Sequence, residues 1–181
     1  MKRALGIIIG VVVLILAILF GRYGIHIFYR SSGYVEIRDK NFDDLNINRS
    51  AVLNNVSAIH NIFVVGSLSG DRVNAGEVHV GGAATVSNTL VSGRITVFGL
   101  FDAYTSTFNE IVAYERVMLK NSTAKSITIE LPVVKRRQCV ELVDTMVAGD
   151  IIFKAGGGDV VLRGNSGVIV GKIIGATIQK K

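Results

Sequence analysis

The chain has 181 residues, which is enough for one domain and a membrane segment. Its 20 Gly and single Pro are typical of a chain with many tight corners and not of a disordered one, and its single Cys excludes a disulfide framework. The formal net charge is +6, but four of the 20 Lys and Arg fall within the first 30 residues. The other 16 basic residues face 14 acidic ones, a net charge of +2, so no nucleic-acid partner is expected.

The first predicted element is a membrane segment. Residues Ala4–Phe20 carry no charge and are almost entirely aliphatic. With Gly21 the segment reaches 18 residues, and a helix of that length spans about 27 Å, close to the thickness of the hydrocarbon core. No small-x-small cleavage site and no Cys for lipid attachment follow it. Residues 1–30 are therefore predicted to hold an uncleaved transmembrane signal anchor and its interfacial flank. The alternative is a signal peptide cleaved at an atypical site.

The orientation of the anchor follows from its flanking charges. Lys2 and Arg3 precede it, and Arg22 and Arg30 follow it. With the amino terminus included, this small bias favours a cytoplasmic N-terminus and a body outside the cytoplasm. An aromatic belt of the kind found at membrane interfaces is predicted at Tyr23, Phe28 and Tyr29.

Residues 31–44 are charged and polar, with a brief alternation from Tyr34 to Arg38. They are predicted to form a short stalk or an N-terminal capping strand.

From residue 45 onward the chain is repetitive. An apolar-x-apolar signature recurs eight times, and its first members are separated by 17, 16, 17, 17, 15, 24 and 17 residues. A period this short is typical of a stacked β architecture, in which each repeat forms one rung. The eight pairs are Leu45/Ile47, Ile62/Val64, Val78/Val80, Ile95/Val97, Val112/Tyr114, Ile127/Ile129, Ile151/Phe153 and Val168/Val170.

Strand alternation predicts which side chains face the core. The paired apolar residues should point inward, and the residues between them should point outward: Asn46, Phe63, His79, Thr96, Ala113, Thr128, Ile152 and Ile169. Two further apolar edges follow in each repeat, at Ala51/Leu53, Leu68, Ala84/Val86 and Phe101/Ala103, and then at Val56, Val73, Leu90 and Phe108.

Corner residues separate these edges. Gly is predicted to allow close backbone approach, and Asn to adopt a left-handed backbone; the recurring positions are Gly66, Gly82, Gly99, Gly76, Gly93, Gly149, Asn55, Asn88 and Asn121. Three short edges in about 16 to 17 residues predict an all-β, single-stranded β-solenoid of about eight rungs over residues 45–181. The alternative is a β-sandwich, but the Asn-Gly and Asp-Gly pairs of tight hairpins are absent.

The 24-residue step predicts an insertion around residues 131–145 that bulges from the stack. It contains Lys135, Arg136 and Arg137, a cluster that is either a solvated loop or a patch for an anionic partner, such as lipid headgroups or envelope polysaccharide. Cys139 is expected to be a free thiol near this loop and not a nucleophile.

The chain resembles the bactofilins, bacterial polymer-forming β-solenoid proteins. The resemblance rests on Gly-x-apolar-x-apolar rungs at residues 76–82 and 93–99, and covers roughly residues 45–130. It implies a right-handed, three-sided parallel β-helix that assembles end to end without a nucleotide. The basic insertion and the extracytoplasmic body depart from the family's usual cytoplasmic scaffold.

Residue types that carry chemistry do not converge in the sequence. His26 falls beside the anchor, and His60 and His79 fall at different places in their rungs. Residues 167–172 have the wrong Gly spacing for a phosphate loop, and Ile173 stands where Ser or Thr would hold magnesium. The acidic residues are scattered about one to a rung. No catalytic residue, no metal and no cofactor are therefore expected.

These patterns favour a non-enzymatic scaffold of the bacterial inner membrane, with a single membrane pass and a periplasmic body. The apolar stretch near the C-terminus is predicted to form a self-association edge made of Val168, Val170, Ile173, Ile174 and Ile178. The alternatives are a polysaccharide-binding module, or a solenoid enzyme of the acyltransferase or lyase type.

Overall fold

A computed structural model describes residues 25–26, 33–132, 137–168 and 171–180. Every regular element in this part of the chain is a β-strand, and all the strand pairings are parallel. The 18 strands are β1 (Ile25–His26), β2 (Tyr34–Phe42), β3 (Leu45–Ile47), β4 (Ser50–Val64), β5 (Leu68–Val80), β6 (Ala84–Ser87), β7 (Leu90–Val97), β8 (Phe101–Tyr104), β9 (Thr107–Ala113), β10 (Val117–Lys120), β11 (Thr123–Ile129), β12 (Cys139–Val143), β13 (Met146–Val147), β14 (Ile151–Phe153), β15 (Gly158–Arg163), β16 (Gly167–Val168), β17 (Ile173–Ile174) and β18 (Ala176–Lys180).

The strands wind into a three-sided solenoid of about eight turns. Face A contains β1, β3, the last residues of β4, β5, β7, β9 and β11, and then β14 and β17. Face B contains the first residues of β2, β4 and β5, followed by β6, β8, β10, β12, β15 and β18. Face C contains the remaining part of β2, β4 and β5, the first residues of β7, β9 and β11, and β13 and β16. The predicted all-β solenoid is confirmed.

The core is a set of straight columns because each residue pairs with the equivalent residue of the next turn. On face A one column is entirely aliphatic and its members up to Ile151 are at most 1% exposed; it contains Leu45, Ile62, Val78, Ile95, Ile111, Ile127 and Ile151, and continues to Ile173. On faces B and C, Phe101 and Phe108 pack edge to face, with ring centroids 5.4 Å apart. Adjacent turns are therefore held by apolar contacts as well as by backbone hydrogen bonds.

Two of the eight predicted rungs are wrong in register. In the fifth, Ile111 and Ala113 point inward with 0% exposure, so Ala113 is not an outward residue. Residues 111–114 are apolar without a break, so the sequence pattern fits Ile111/Ala113 inward as well as Val112/Tyr114 inward. The pairing of Ile95 with Ile111 selects the first of these registers. The observed steps along the face A column are 17, 16, 17, 16, 16, 24 and 22 residues.

The eighth rung is displaced by a longer last turn. Val168 pairs with Val147 on face C, whereas the face A position is taken by Ile173, which pairs with Ile151. Ile169 and Val170 lie outside the described residues. A one-residue shift like that of the fifth rung occurs on face C, where the predicted inward residue Leu90 is 45% exposed and the following Val91 is fully buried.

The corner residues have the two roles predicted for them. A Cβ on Gly66 would lie 2.5 Å from the backbone nitrogen of Ser50, and a Cβ on Gly76 would lie 2.4 Å from the carbonyl oxygen of His60. These two glycines are needed for close packing of successive turns. At the corner between faces B and C the backbone is left-handed in almost every turn, at Asp39, Asn55, Arg72, Asn88, Thr105, Asn121, Asp144 and Gly164.

The ends of the predicted segments differ in part from expectation. Residues 34–42 form strand β2 in register with β4, so this part of the predicted stalk belongs to the stack. Residues 140–143 pair with both β10 and β15, and Cys139 pairs with β15, so the insertion is shorter than residues 131–145. The predicted anchor at residues 4–20 lies outside the described residues. Within the described ranges no helix is long and apolar enough to span a bilayer.

Candidate functional site: the C-terminal edge and an exposed apolar stripe

The C-terminal edge consists of the last described turn, formed by β16, β17 and β18. Each of these strands pairs with the preceding turn, and within the described ranges no strand pairs with its other side. The side chains of Val168 and Val170 lie outside what the structure describes. The edge therefore presents a row of backbone donors and acceptors of the kind that accepts another strand.

The core columns of the solenoid are open at this edge. Ile178 continues the column of Val160, which is fully buried, yet Ile178 is 51% exposed. Ile173 continues the fully buried column of Ile151 and is only partly buried. Both residues are apolar and in inward register, and among the described residues no further turn covers them.

Two residues modify the predicted edge. Ile174 pairs with Ile152 in the outward register of face A, so its 46% exposure belongs to the outer surface and not to the open core. Lys180 pairs with Leu162 and thus occupies a register position held by leucines in the preceding turns. Its long apolar stem can lie along the core while the ammonium reaches water at the rim.

At the opposite end the inward residues of face B are covered. Val35 and Ile37 of β2 are 6% and 7% exposed, although they belong to the first turn with strands on faces B and C. On face C of that turn, Phe42 is partly buried and Lys40 stands exposed in the register of Val56. On face B, therefore, the apolar column is open only at the C-terminal edge of the described turns.

The basic cluster is only partly described. Lys135 and Arg136 lie outside the described residues, whereas Arg137 forms an ion pair with Asp159, with Nε 2.5 Å from Oδ2. This contact neutralises one of the three charges proposed for an anionic partner. Next to it, Gln138 is 5% exposed and its Nε2 donates to the carbonyl oxygens of Tyr114 and Glu130. Gln138 thereby fastens the insertion to the stack.

A buried hydroxyl ladder was not predicted from the sequence. The backbone N–H groups of Thr89, Ser106, Ser122 and Thr145 each donate to a hydroxyl of the next turn at 3.0 to 3.2 Å. The hydroxyls of Ser106, Ser122 and Thr145 also donate to a carbonyl two residues earlier, as Ser106 does to Tyr104. The hydroxyl of Ser166 donates to the carbonyl of Arg163. The sequence feature that could have predicted this ladder is the recurrence of Ser or Thr one residue after the left-handed corner.

An exposed apolar stripe was also missed. Phe63, Val65, Phe98 and Leu100 are 44% to 52% exposed on face A and at its corner with face B. Tyr114 stacks on Phe98, with ring centroids 4.4 Å apart and planes 11° apart. We call these five residues the apolar stripe. The sequence feature that could have revealed the stripe is the presence of two aromatic side chains at outward positions of nearby rungs.

Groups with reactive potential lie apart from one another. Burial, with Asp159 and Glu141 nearby, raises the pKa of the Cys139 thiol, which disfavours its thiolate. The imidazole of His79 lies 3.4 Å from the carboxylate of Glu77, and its ring centroid is 6.5 Å from that of Phe63. Among the described residues no three His, Cys, Asp or Glu side chains converge as metal ligands.

No protein-family model, no curated protein and no solved structure matches this chain.

Proposed function

We propose that this protein is a non-enzymatic, membrane-anchored structural protein whose solenoid associates with further copies through its C-terminal edge. The observation that carries the proposal is the 51% exposure of Ile178 in a column that is fully buried at Val160. Covering that side chain removes apolar surface from water, and pairing the strand edge satisfies backbone groups at the same time.

The setting of this association follows from the sequence. The apolar residues Ala4–Phe20 act as a signal anchor in the bacterial inner membrane and place the solenoid in the periplasm. There it organises components of the cell envelope, as a bactofilin-like, right-handed solenoid. The short period and the three-sided stack support this assignment.

The association is tested on the full chain in detergent, by size-exclusion chromatography with light scattering. Ile173→Lys combined with Ile178→Glu places charges on the open core and is expected to yield monomers with the β content intact, as judged by circular dichroism. The matched control is Ile174→Glu, an outward position of the same turn, which should leave the oligomer unchanged. An unmodified chain that is monomeric at high micromolar concentration contradicts the proposal.

Lys180 offers a second test with the opposite sign. Because it stands in the register of Leu162, Lys180→Leu continues the apolar column to the last turn. It is expected to increase the oligomer fraction at equal protein concentration. Lys172→Leu is the control, because Lys172 is an exposed corner residue before β17. An equal oligomer fraction for Lys180→Leu and the unmodified chain argues against this edge as the contact.

A further inference from the structure

We infer that the apolar stripe is a membrane-contact surface, so that the solenoid lies with the edge between faces A and B against the lipid bilayer. This inference rests on the proposed membrane anchor and adds a second contact to it. The partner is a lipid surface that offers polar headgroups at the rim and acyl chains below.

The first argument is composition. Residues 62–69, 78–93, 95–101 and 111–114, which build the stripe and its surroundings over four turns, contain no Asp, Glu, Lys or Arg. The outer side of face B is different because it carries Glu36, Arg38, Asp71, Asp102, Lys120, Glu141 and Arg163. On face A the charged residues Glu77, Arg94 and Glu110 lie near its edge with face C, and Arg94 forms an ion pair with Glu110. The stripe lies at the other edge of face A, next to face B, and can therefore approach hydrocarbon without desolvating charges of its own.

The second argument is shape. The stripe lies on successive parallel strands spaced about 4.8 Å apart, so it extends along the solenoid axis as a flat surface. Gly81 falls between Val65 and Phe98 in this column, where a Cβ would lie 2.3 Å from the carbonyl oxygen of Val65. Glu130, which pairs with Lys154, ends the column beyond Tyr114. A flat apolar strip with a charged end suits a bilayer surface better than a small ligand. Phe and Tyr are also residues that favour the bilayer interface.

The third argument is the path of the chain. Strand β1 is on face A, and its two residues pair with Leu45 and Asn46. Phe63 is the next partner of Asn46, so it lies two strand spacings from β1, about 9 to 10 Å away. The apolar segment ends at Phe20, and the five residue steps from Phe20 to Ile25 span at most about 18 Å. The anchor thus delivers the chain to the face, and to the end of that face, where the stripe begins.

The experiment uses the absence of Trp from the chain, which makes any introduced Trp the sole reporter. Full-length Phe98→Trp is reconstituted in vesicles of phosphatidylcholine and phosphatidylglycerol, with or without bromine atoms near the headgroup end of the acyl chains. The matched control is Met118→Trp on the outer side of face B. We expect the fluorescence of Phe98→Trp to be shifted to the blue and quenched by the brominated lipid, and that of Met118→Trp to show neither change.

A second variant tests whether the stripe acts as a unit. Phe63→Glu, introduced into the Phe98→Trp chain, is expected to reduce the quenching, whereas Val52→Glu on face B should leave it unchanged. Both positions point outward in paired strands, so the fold is checked by circular dichroism.

The outcomes separate the anchor from the stripe. If the chain floats with the vesicles but Phe98→Trp is not quenched, the anchor stands and the stripe contact is refuted. If the chain does not float, both are refuted. A blue shift that grows with protein density, without quenching by brominated lipid, assigns the stripe to a second copy. A blue shift that appears only when envelope polysaccharide is added, again without quenching, assigns the stripe to a carbohydrate. Either result overturns the lipid contact.

Discussion

The backbone N–H of Thr89 donates to the hydroxyl oxygen of Ser106, one turn further along the solenoid, at a distance of 3.0 Å. Thr89 and Ser106 are 3% and 4% exposed, so water cannot replace this contact. The Ser106 hydroxyl also donates to the carbonyl oxygen of Tyr104 at 2.7 Å. One small side chain therefore satisfies backbone groups of two successive turns, and the same arrangement recurs along the corner.

Removal of this hydroxyl is expected to destabilise the solenoid. Ser106→Ala leaves the buried N–H of Thr89 without an acceptor, which costs about 1 to 3 kcal/mol of unfolding free energy. The measurement is chemical denaturation of the full chain in detergent, with Ser69→Ala on the exposed side of face B as the control. Equal midpoints for the two variants contradict the role of the ladder.

Because neighbouring residues of β7 face opposite sides, substitutions at these residues are predicted to differ greatly in their effect on stability. Val97 is fully buried and Thr96 is half-buried on the outer side of face A. Val97→Asp places an unpaired charge in the core and should cost several kcal/mol, whereas Thr96→Asp should change stability by roughly 0.5 kcal/mol or less. Thermal unfolding compares the two. Similar melting temperatures would be inconsistent with this facing.

The register of β9 is open to a direct test because the sequence permits two registers. Ile111 is fully buried in the face A column, and Val112 lies on the outer surface. Ile111→Ala is expected to cost about 2 to 5 kcal/mol through lost burial and a residual cavity. Val112→Ala should cost about 0.5 kcal/mol or less, as surface changes usually do. Denaturant midpoints that rank the two variants in the reverse order support the alternative register.

Thr105 has a left-handed backbone with φ of 49°, which is unfavourable for a β-branched residue. Its equivalents one turn away on either side, Asn88 and Asn121, tolerate this conformation. Thr105→Asn is therefore expected to raise the unfolding free energy by about 0.5 to 1 kcal/mol, a part of the strain of such positions. Thr107→Asn, in the following strand, should give no increase. A loss of stability in Thr105→Asn would show that the corner has no strain to relieve.

Asp71 links stability to pH. Hydrogen bonds from Asn88 and Ser87, each 2.8 Å long, hold the pKa of its carboxyl below the ordinary value of 3.8, and Arg72 adds to this effect. A lowered folded pKa means that the contribution to stability is present above the ordinary pKa and is lost as the pH falls through the folded pKa. The stability gap between the unmodified chain and Asp71→Asn should thus be constant near neutral pH and narrow as the pH falls below about 3.8. A gap in melting temperature that stays constant below this pH contradicts the carboxylate contacts.

The amino-acid sequence alone was sufficient to predict which side chains are buried where apolar residues alternate strictly and polar or Gly residues flank them. Ile95/Val97 and Ile127/Ile129 are buried as predicted, and Asn55, Asn88 and Asn121 are left-handed as predicted. These features depend on one strand or one corner, so the local period of two and the backbone preference of Asn determine them.

Tertiary structure decided what depends on the neighbouring turn. Residues 111–114 are uninterrupted apolar residues in which either register buries side chains, and only pairing with Ile95 selects Ile111. The hydroxyl ladder joins residues 16 to 23 positions apart, and the Arg137–Asp159 pair joins residues 22 apart. The sequence likewise placed the C-terminal edge among apolar residues, but Ile178 is inward and Ile174 is outward because of the strands they pair with. A parallel solenoid brings together residues one turn apart, and that distance exceeds the range over which local alternation carries information.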